Sequence, residues 1–476
     1  MGLSNVLASL TARLARLFYR PFGGSSAFLT GKPLERQLLI YKLPGAQVVL
    51  ANDLSVVETL LTDRAGTFPK NTALEMLLRP LIGSGVFGQP GGDAVKQARR
   101  LHVRALSRIP DAAVSRISQS LTRRYIAEWQ QSAHPVPIPS ELSRLSIDIV
   151  TEATLGTRFT TEESRRFVAL FFEYNRRADP VLLLRGPTDT RIRQAAIDNM
   201  ELTAIGTEMR VLMRTRFLEP LLAASPGQSD APLGAALRDR AGLSSGNGAT
   251  ALAPDTQTAM LDEIAVVLLA GHETTASVLS WLLWELAGAP QEQERTARLL
   301  TGHAPVAGAV GAETHAIQPD SAQLRLKALI QEALRLYPPI AFLLRETTGD
   351  VEFRERPISA GSAIVVSPWT IHRHRGLWRN PDVFDPGRWM AASPPEPMAQ
   401  RTAFIPFGHG PRICPGKRFA EVEMLAILGE LLGTVRLSRT WGRAPRPLGR
   451  LTSRPDYDFK LRLAERASKR QPQADS

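Results

Sequence analysis

The chain has 476 residues, 43% of them hydrophobic and 22% charged, which is enough apolar sequence for a sizeable core and lacks the signature of a disordered chain. Its single cysteine excludes an intrachain disulfide, a Cys-x-x-Cys pair and any multi-cysteine zinc or iron–sulfur site, and it fits a reducing cytoplasm. The formal charge of +12 raises nucleic-acid binding, but the basic residues are scattered, clustering only briefly as in Arg99-Arg100 and Lys417-Arg418, and no nucleic-acid motif accompanies them.

From the N-terminus, residues 1–34 read as an amphipathic segment. Leu3, Val6, Leu7, Leu10, Leu14, Leu17 and Phe18 recur at helical spacing, while Arg13, Arg16 and Arg20 interrupt the apolar run that a membrane anchor or secretory signal needs. Packing of that stripe on the protein's own body is the expected outcome, and a basic helix resting on an anionic membrane surface is the alternative. Residues 48–51 read as a short strand and 53–61 as a helix, followed by helical periodicity over 95–106, 112–129, 140–155 and 163–176. The stretches 224–254 and 301–319, rich in small and turn-forming residues, read as surface connections. Between them Asp255 is placed to cap a helix over 256–287, stopped by Gly288 and Pro290. At 1.5 Å per residue this helix would span roughly 45–50 Å, enough to cross the whole molecule, yet its apolar run 264–270 is too short to span a membrane. A further helix ends at Pro338-Pro339, strand-like alternation surrounds Gly361 over 358–367, a helix is expected over 416–432, and 464–476 form a polar tail.

Two stretches carry chemistry. The first, Phe407-Gly408-His409-Gly410-Pro411-Arg412-Ile413-Cys414-Pro415-Gly416, holds the only cysteine. Pro415 suits the first turn of the helix that follows, which puts Cys414 at its amino end, where unpaired N–H groups and the helix dipole favour a thiolate. Gly410 and Gly416 let the backbone approach something flat, and Arg412 offers a guanidinium fork to a carboxylate. A lone cysteine is most often a small buried hydrophobe, a reading that these neighbours displace. The second stretch, Ala270-Gly271-His272-Glu273-Thr274-Thr275, places a glycine in mid-helix, where it costs about 1 kcal/mol against alanine. Small residues at 270 and 271, with Thr274 one turn on, open room on one face, and Glu273 sets an acid beside the alcohol. The plainer alternative has Thr274 bonding back to a carbonyl of its own helix and Glu273 in a surface ion pair.

The spacing F-x-x-G-x-R-x-C-x-G resembles the haem-ligand loop of the cytochrome P-450 family, and the helical stretch resembles that family's A/G-G-x-D/E-T pattern. The resemblance implies a mainly α fold with a small β portion (α+β), a single catalytic domain over 35–463, and a long central helix crossing over the haem. It implies Cys414 as the thiolate ligand of haem b, with Phe407, Gly410, Gly416, Ala270 and Gly271 against the cofactor. Thr274 becomes the oxygen-activating alcohol and Glu273 its acidic partner in proton delivery. Glu332-Ala333-Leu334-Arg335 resembles the family's E-x-x-R helix and Pro386-Gly387-Arg388-Trp389 a later segment, implying a structural triad of Glu332, Arg335 and Arg388. Arg99, Arg345 and Arg412 match positions that reach haem propionates. Val95 stands where a hydrogen-bonding tryptophan is usual and cannot donate, so the nearby His102 is the candidate in its place. Phe87, Ile340, Ala341, Phe342 and Leu343, with Leu182 to Leu184, fall in pocket-lining segments, and their apolar character suggests a hydrophobic small-molecule substrate.

The implied activity is a monooxygenase using O2, with electrons ultimately from NAD(P)H through a ferredoxin or flavodoxin-type donor and its reductase. That donor would dock on the basic side near Arg412, Lys417 and Arg418. Cytoplasmic localisation is expected, with peripheral membrane contact through the N-terminus as the variant. A peroxide-driven or isomerising haem-thiolate enzyme is the alternative, against which the intact Glu273-Thr274 pair argues. A non-catalytic basic protein at membranes or nucleic acid would leave the Cys414 loop unexplained. Three other patterns fail. His272-Glu273 begins H-E-x-x-H, but Ala276 holds the second histidine position. Residues 83–88 match G-x-G-x-x-G, but Gln89-Pro90-Gly91-Gly92 follows where a dinucleotide fold needs a helix. His372 and His374 have no partner cluster and read as solvated or structural.

Overall fold

The computed structural model describes residues 31–43, 46–85, 93–132, 134–178, 200–224, 231–243, 252–301, 321–390 and 401–466. The expectations for residues 1–30, Phe87, Leu182 to Leu184, 302–319 and 467–476 lie outside these. The helices are α1 (Leu54–Thr62), α2 (Thr72–Ile82), α3 (Asp93–Ser107), α4 (Asp111–Gln131), α5 (Ile138–Leu155), α6 (Thr161–Arg177), α7 (Met200–Met213), α8 (Glu219–Ala223), α9 (Pro232–Arg240), α10 (Pro254–Ala287), α11 (Pro290–Thr301), α12 (Ala322–Leu336), α13 (Pro368–Ile371) and α14 (Lys417–Thr434). The strands are β1 (Leu38–Leu43), β2 (Ala46–Ala51), β3 (Val136–Pro137), β4 (Leu343–Glu346), β5 (Val351–Phe353), β6 (Arg356–Ile358), β7 (Ala363–Val366), β8 (Val435–Arg439), β9 (Pro447–Gly449), β10 (Ser453–Pro455) and β11 (Lys460–Glu465). The main sheet has the order β1-β2-β7-β4, with β2 and β7 parallel and the outer pairs antiparallel. A second sheet has the order β3-β11-β8.

Local chemistry accounts for most of the boundaries. Asp53 caps α1, its Oδ1 accepting from the amides of Ser55 at 3.0 Å and Val56 at 3.2 Å. The alternation expected over 358–367 resolves into two strands of different sheets. Gly361, at φ 73°, lies in the turn between them, and β7 is buried along its whole length because β2 and β4 flank it. Three boundaries differ from expectation. α9 lies inside the supposed connection 224–254, burying Leu233, Leu237 and Arg238, whose Nη1 donates to the carbonyls of Leu221 and Ala224. Its flanks of Ala, Ser and Gly hid it. α10 starts at Pro254 with Ala253 as its cap, so Asp255 sits in the first turn and acts on the helix dipole instead of capping it. β11 runs on to Glu465, and Arg466 N donates to Thr434 O at 3.0 Å, so the tail begins later than 464.

By length and composition α10 could cross a membrane, but 78% of its most apolar window is buried inside the protein. It packs along α5, and Gly271 permits that approach. A Cβ on Gly271 would lie 2.8 Å from Val150 Cγ2. The glycine expected to make room for a ligand therefore makes room for a neighbouring helix.

The E-x-x-R helix α12 is tied to the chain beyond it by a buried network. Glu332 Oε2 accepts from Arg335 Nε at 2.9 Å and Trp389 Nε1 at 2.8 Å, and its Oε1 accepts from Arg335 Nη2 at 2.8 Å, Arg388 Nε at 3.1 Å and the Asp385 amide at 2.8 Å. Arg335 also donates to the carbonyls of His372, Pro381 and Val383. Burial pushes the Glu332 carboxyl up, but the donors of Arg335 and Asp385 and the charge of Arg388 outweigh it and hold the group below its usual value. Removing the charge leaves two buried guanidiniums short of a partner. Glu332→Gln is expected to lower the denaturant-unfolding free energy by about 3–5 kcal/mol. Glu430→Gln, which removes the exposed pair with Arg123, should cost under about 1 kcal/mol.

Candidate metal centre

Cys414 sits at the end of a loop shaped by two left-handed glycines, Gly408 at φ 76° and Gly410 at φ 70°. A Cβ on Gly410 would come 2.3 Å from Leu61 O, so this turn also needs glycine to pass the end of α1. The loop closes on itself through Cys414 N to Phe407 O at 2.9 Å and Ile413 N to Gly410 O at 3.1 Å. The cap of α14 is Gly416, so Pro415 precedes the cap and does not occupy the first turn as expected. Cys414 is an exposed residue, yet enough protein surrounds its thiol to desolvate it. Burial raises the thiol's pKa, and the amides of Gly416 and Lys417 together with the Arg99 charge offset that only in part. The helix end alone therefore does not make a thiolate here. A coordinated cation would, because binding a metal deprotonates a thiol.

Beside the loop lies a concentration of positive charge drawn from four parts of the chain. Lys70, in a backbone bridge with Arg345, is within electrostatic reach of Arg412, Arg345 and Arg99. Burial first, and these cations second, push Lys70 down to about 8, while burial and then the Arg412 charge, opposed by Asp63, push Arg345 down to about 10. Arg99 Nη2 donates to Ile413 O at 2.5 Å, next to Cys414, and Arg345 Nη1 donates to the carbonyl of Leu344 at 2.9 Å. Arg412 Nη1 is buried without a hydrogen-bond partner. The carboxylates in reach are Glu75, near Lys70, and Asp63, which already accepts from the amides of Ala65, Gly66 and Phe68. An excess of partly buried cations with an unpaired guanidinium N–H on Arg412 fits a ligand bearing two carboxylates beside a metal, which is what haem presents. Lys70 gave no signal in the sequence, since an isolated lysine between Pro69 and Asn71 belongs to no motif.

The middle of α10 shows where such a ligand has room. Met260 to Leu268, His272, Glu273 and Thr275 to Leu283 are buried, whereas Leu269, Ala270, Gly271 and Thr274 are partly exposed in mid-helix, and Ala270 and Thr274, one turn apart, share one partly open face. Thr274 Oγ1 donates to Ala270 O at 2.8 Å, the back-bonded arrangement, and keeps its lone pairs for an incoming donor. Glu273 points elsewhere. Its carboxyl accepts from Thr452 Oγ1 at 3.3 Å, lies near Ser143, and stands 3.7 Å from Arg454 Nη1. Burial raises its pKa despite Arg454. The acid and the alcohol are neighbours in sequence without touching.

A family model for cytochrome P-450 matches residues 36–452. The chain belongs to the cytochrome P-450 family. Human cytochrome P-450 4A11 is 34% identical over 212 residues, 42% of this chain and 37% of that protein. Cyclooctatin synthase of Streptomyces melanosporofaciens is 34% identical over 196 residues, 41% of each chain. These matches span well under half of those relatives' lengths. A crystal structure of a cytochrome P-450 (CYP102L1) superposes with a TM-score of 0.71 at 20% identity, covering 94% of this chain and 96% of that one, a likeness of fold.

The other candidate residues of this P-450 fall into place as follows. Ala341 is buried and Ile340, Phe342 and Leu343 are partly so, on the stretch leading from α12 into β4. His102 pairs with Glu263, its Nε2 lying 2.6 Å from Oε2. His272, His372 and His374, the other histidines that the sequence patterns raised, are structural. His272 bonds Leu268 O through Nδ1 and rests against Phe167 and Phe171, and burial pushes it down to about 4. His372 accepts from the Ile405 amide, and His374 from that of Gly376; neither is solvated. The motifs did not point to Glu423 on α14, which accepts from Thr275 Oγ1 at 3.4 Å.

Burial pushes the Glu423 carboxyl from 4.5 up to about 8, with Ser146 and Thr275 opposing only in part. The folded chain therefore holds a proton that the unfolded chain releases near 4.5. Its contribution to stability is complete below that pH and is lost as pH rises toward 8. Glu423→Gln is expected to flatten the stability profile over this window, read from denaturant midpoints at a series of pH values. Gly271→Ala should destabilise by about 1–3 kcal/mol through overpacking against Val150, and Val150→Ala in the same chain should recover part of that loss.

Proposed function

We propose that the protein is a haem-thiolate monooxygenase that inserts one oxygen atom from O2 into a hydrophobic small molecule by hydroxylation or epoxidation. Family membership supports the class. The observation that carries it in this chain is the exposed Cys414 beside the excess of cations formed by Lys70, Arg99, Arg345 and Arg412. In this reading Cys414 would ligate haem b through its thiolate, Phe407, Gly410 and Gly416 would lie against the cofactor, and the four cations would receive its two carboxylates. When bound, the haem would supply the iron chemistry for reductive activation of O2.

The chain's own residues handle space and protons. Ala270 and Thr274 form the open face of α10, and the lone pairs of Thr274 Oγ1 can hold a water there while its own hydrogen stays on Ala270 O. Glu273, with its raised pKa, is a proton store behind that face. Because it does not touch Thr274, its proton reaches the open face through water or after the side chain leaves Thr452 and Arg454. Ile340, Phe342 and Leu343 offer apolar contact to a hydrophobic substrate and keep bulk water out. Electrons come from separate proteins, a ferredoxin or flavodoxin-type donor with its reductase, drawing on NAD(P)H. Lys417 and Arg418 are exposed and suit an acidic partner, whereas Arg412 is turned toward the cation cluster and belongs with the cofactor residues.

The dithionite-reduced, carbon-monoxide-bound protein is expected to show a thiolate-type Soret band that Cys414→Ser abolishes; a band that survives the substitution would place the ligand elsewhere. Thr274→Ala should leave that band intact while the ratio of product formed to reductant consumed falls steeply, and unchanged coupling would remove Thr274 from proton handling. Full turnover on peroxide alone, with none on reductant and O2, would favour the peroxide-driven reading.

A further inference from the structure

The family pattern has a hydrogen-bonding aromatic where this chain has Val95, and a partly buried valine cannot donate. The helix that carries Val95 shows what stands in its place. On α3, Arg99 donates to Ile413 O, and Leu106 Cδ1 lies 4.0 Å from where a Cβ on Gly416 would be, so the stripe holding residues 95, 99 and 106 runs along the Cys414 loop. His102 falls on that stripe, one turn from Arg99 and one from Leu106. It is 3% exposed. Its Nε2 is held 2.6 Å from Glu263 Oε2, and its Nδ1 is buried with no hydrogen-bond partner. Glu263 lies on the stripe of α10 that also carries Ala270 and Thr274, two turns toward the helix start, and Arg240 Nη1 is 3.7 Å from its other oxygen. His102 thus spans from the helix beside the sulfur loop to the helix that carries the partly open face, with one ring nitrogen fixed and the other awaiting a partner. A buried ring nitrogen left in that state carries a desolvation penalty until something fills it.

We propose that His102, oriented by Glu263, donates from Nδ1 to a carboxylate of the haem and takes over the contact that Val95 cannot make. The inference rests on the haem reading above. With a hydrogen on each ring nitrogen, Nε2 donates to the Glu263 carboxylate and Nδ1 donates to the haem carboxylate. Glu263 acts through the ring as a positioning residue, and the pair extends the Lys70, Arg99, Arg345 and Arg412 cluster along the edge of the haem.

The test is hemin transfer from the holoprotein to excess apomyoglobin, followed in the Soret region, with variants that separate the two ring nitrogens. His102→Gln keeps an amide within reach of Glu263 but has no donor at the Nδ1 position; His102→Asn keeps a donor near Nδ1 and gives up Glu263. His102→Gln is expected to lose hemin about tenfold faster than the parent, the loss of one hydrogen bond to a charged group. His102→Asn should fall nearer the parent and Glu263→Gln between the two, while the apoprotein denaturation midpoints of parent and His102→Gln coincide. The reverse order, with His102→Gln at the parent rate and His102→Asn faster, would make the histidine a strut between α3 and α10 and overturn the proposal; equal rates for all would overturn it too. A parent protein without a thiolate-type carbon-monoxide band overturns the haem reading itself, which is a separate result from either.

Discussion

Lys70, Arg99, Arg345 and Arg412 crowd a partly desolvated space in which Glu75 lies near Lys70, and Asp63, which acts on Arg345 and Arg412, is already committed to three backbone amides. A folded chain tolerates such an arrangement only if its architecture holds the charges there or an anion joins them. Here the architecture does the first. Lys70 comes from the link between α1 and α2, Arg99 from α3, Arg345 from β4 and Arg412 from the loop before α14, so only the complete fold brings the four together. The strand order β1-β2-β7-β4 places Arg345, and the Glu332 network anchors α12 just ahead of it. The same charges act on the sulfur of Cys414, where Arg99 partly offsets the effect of burial.

On the opposite side, α10 reconciles two demands that pull against each other. It must pack tightly against α5, which Gly271 allows, and it must leave an open face, which Ala270 and Thr274 provide one turn apart. Glu273 serves neither demand directly. Its contacts with Thr452 and Arg454 join the long helix to the C-terminal strands, a part of the fold remote in sequence.

What the sequence revealed was the part of the architecture that local pattern encodes. The E-x-x-R helix and the long central helix combine turn or cap signals with helical periodicity, and both helices are present over the expected stretches, though the start of the long one is shifted. Roles that depend on which way a side chain leaves its helix were not legible. Gly271 was assigned to the ligand when its missing Cβ faces Val150, and Glu273 and Thr274 were paired because they are adjacent, although adjacent helical residues point about 100° apart. Contacts between distant segments were equally hidden, as with Lys70 beside Arg345, His102 against Glu263 and Glu423 against Thr275. Helix α9 escaped because its flanks carry the composition of a linker.

The most direct measurement is anomalous diffraction from crystals of the holoprotein at the iron absorption edge. The account predicts a single iron peak at bonding distance from Cys414 Sγ, in a macrocycle whose two carboxylates meet the Lys70, Arg99, Arg345 and Arg412 cluster. An iron peak bonded to a histidine nitrogen, or a macrocycle whose carboxylates point away from that cluster, would contradict it.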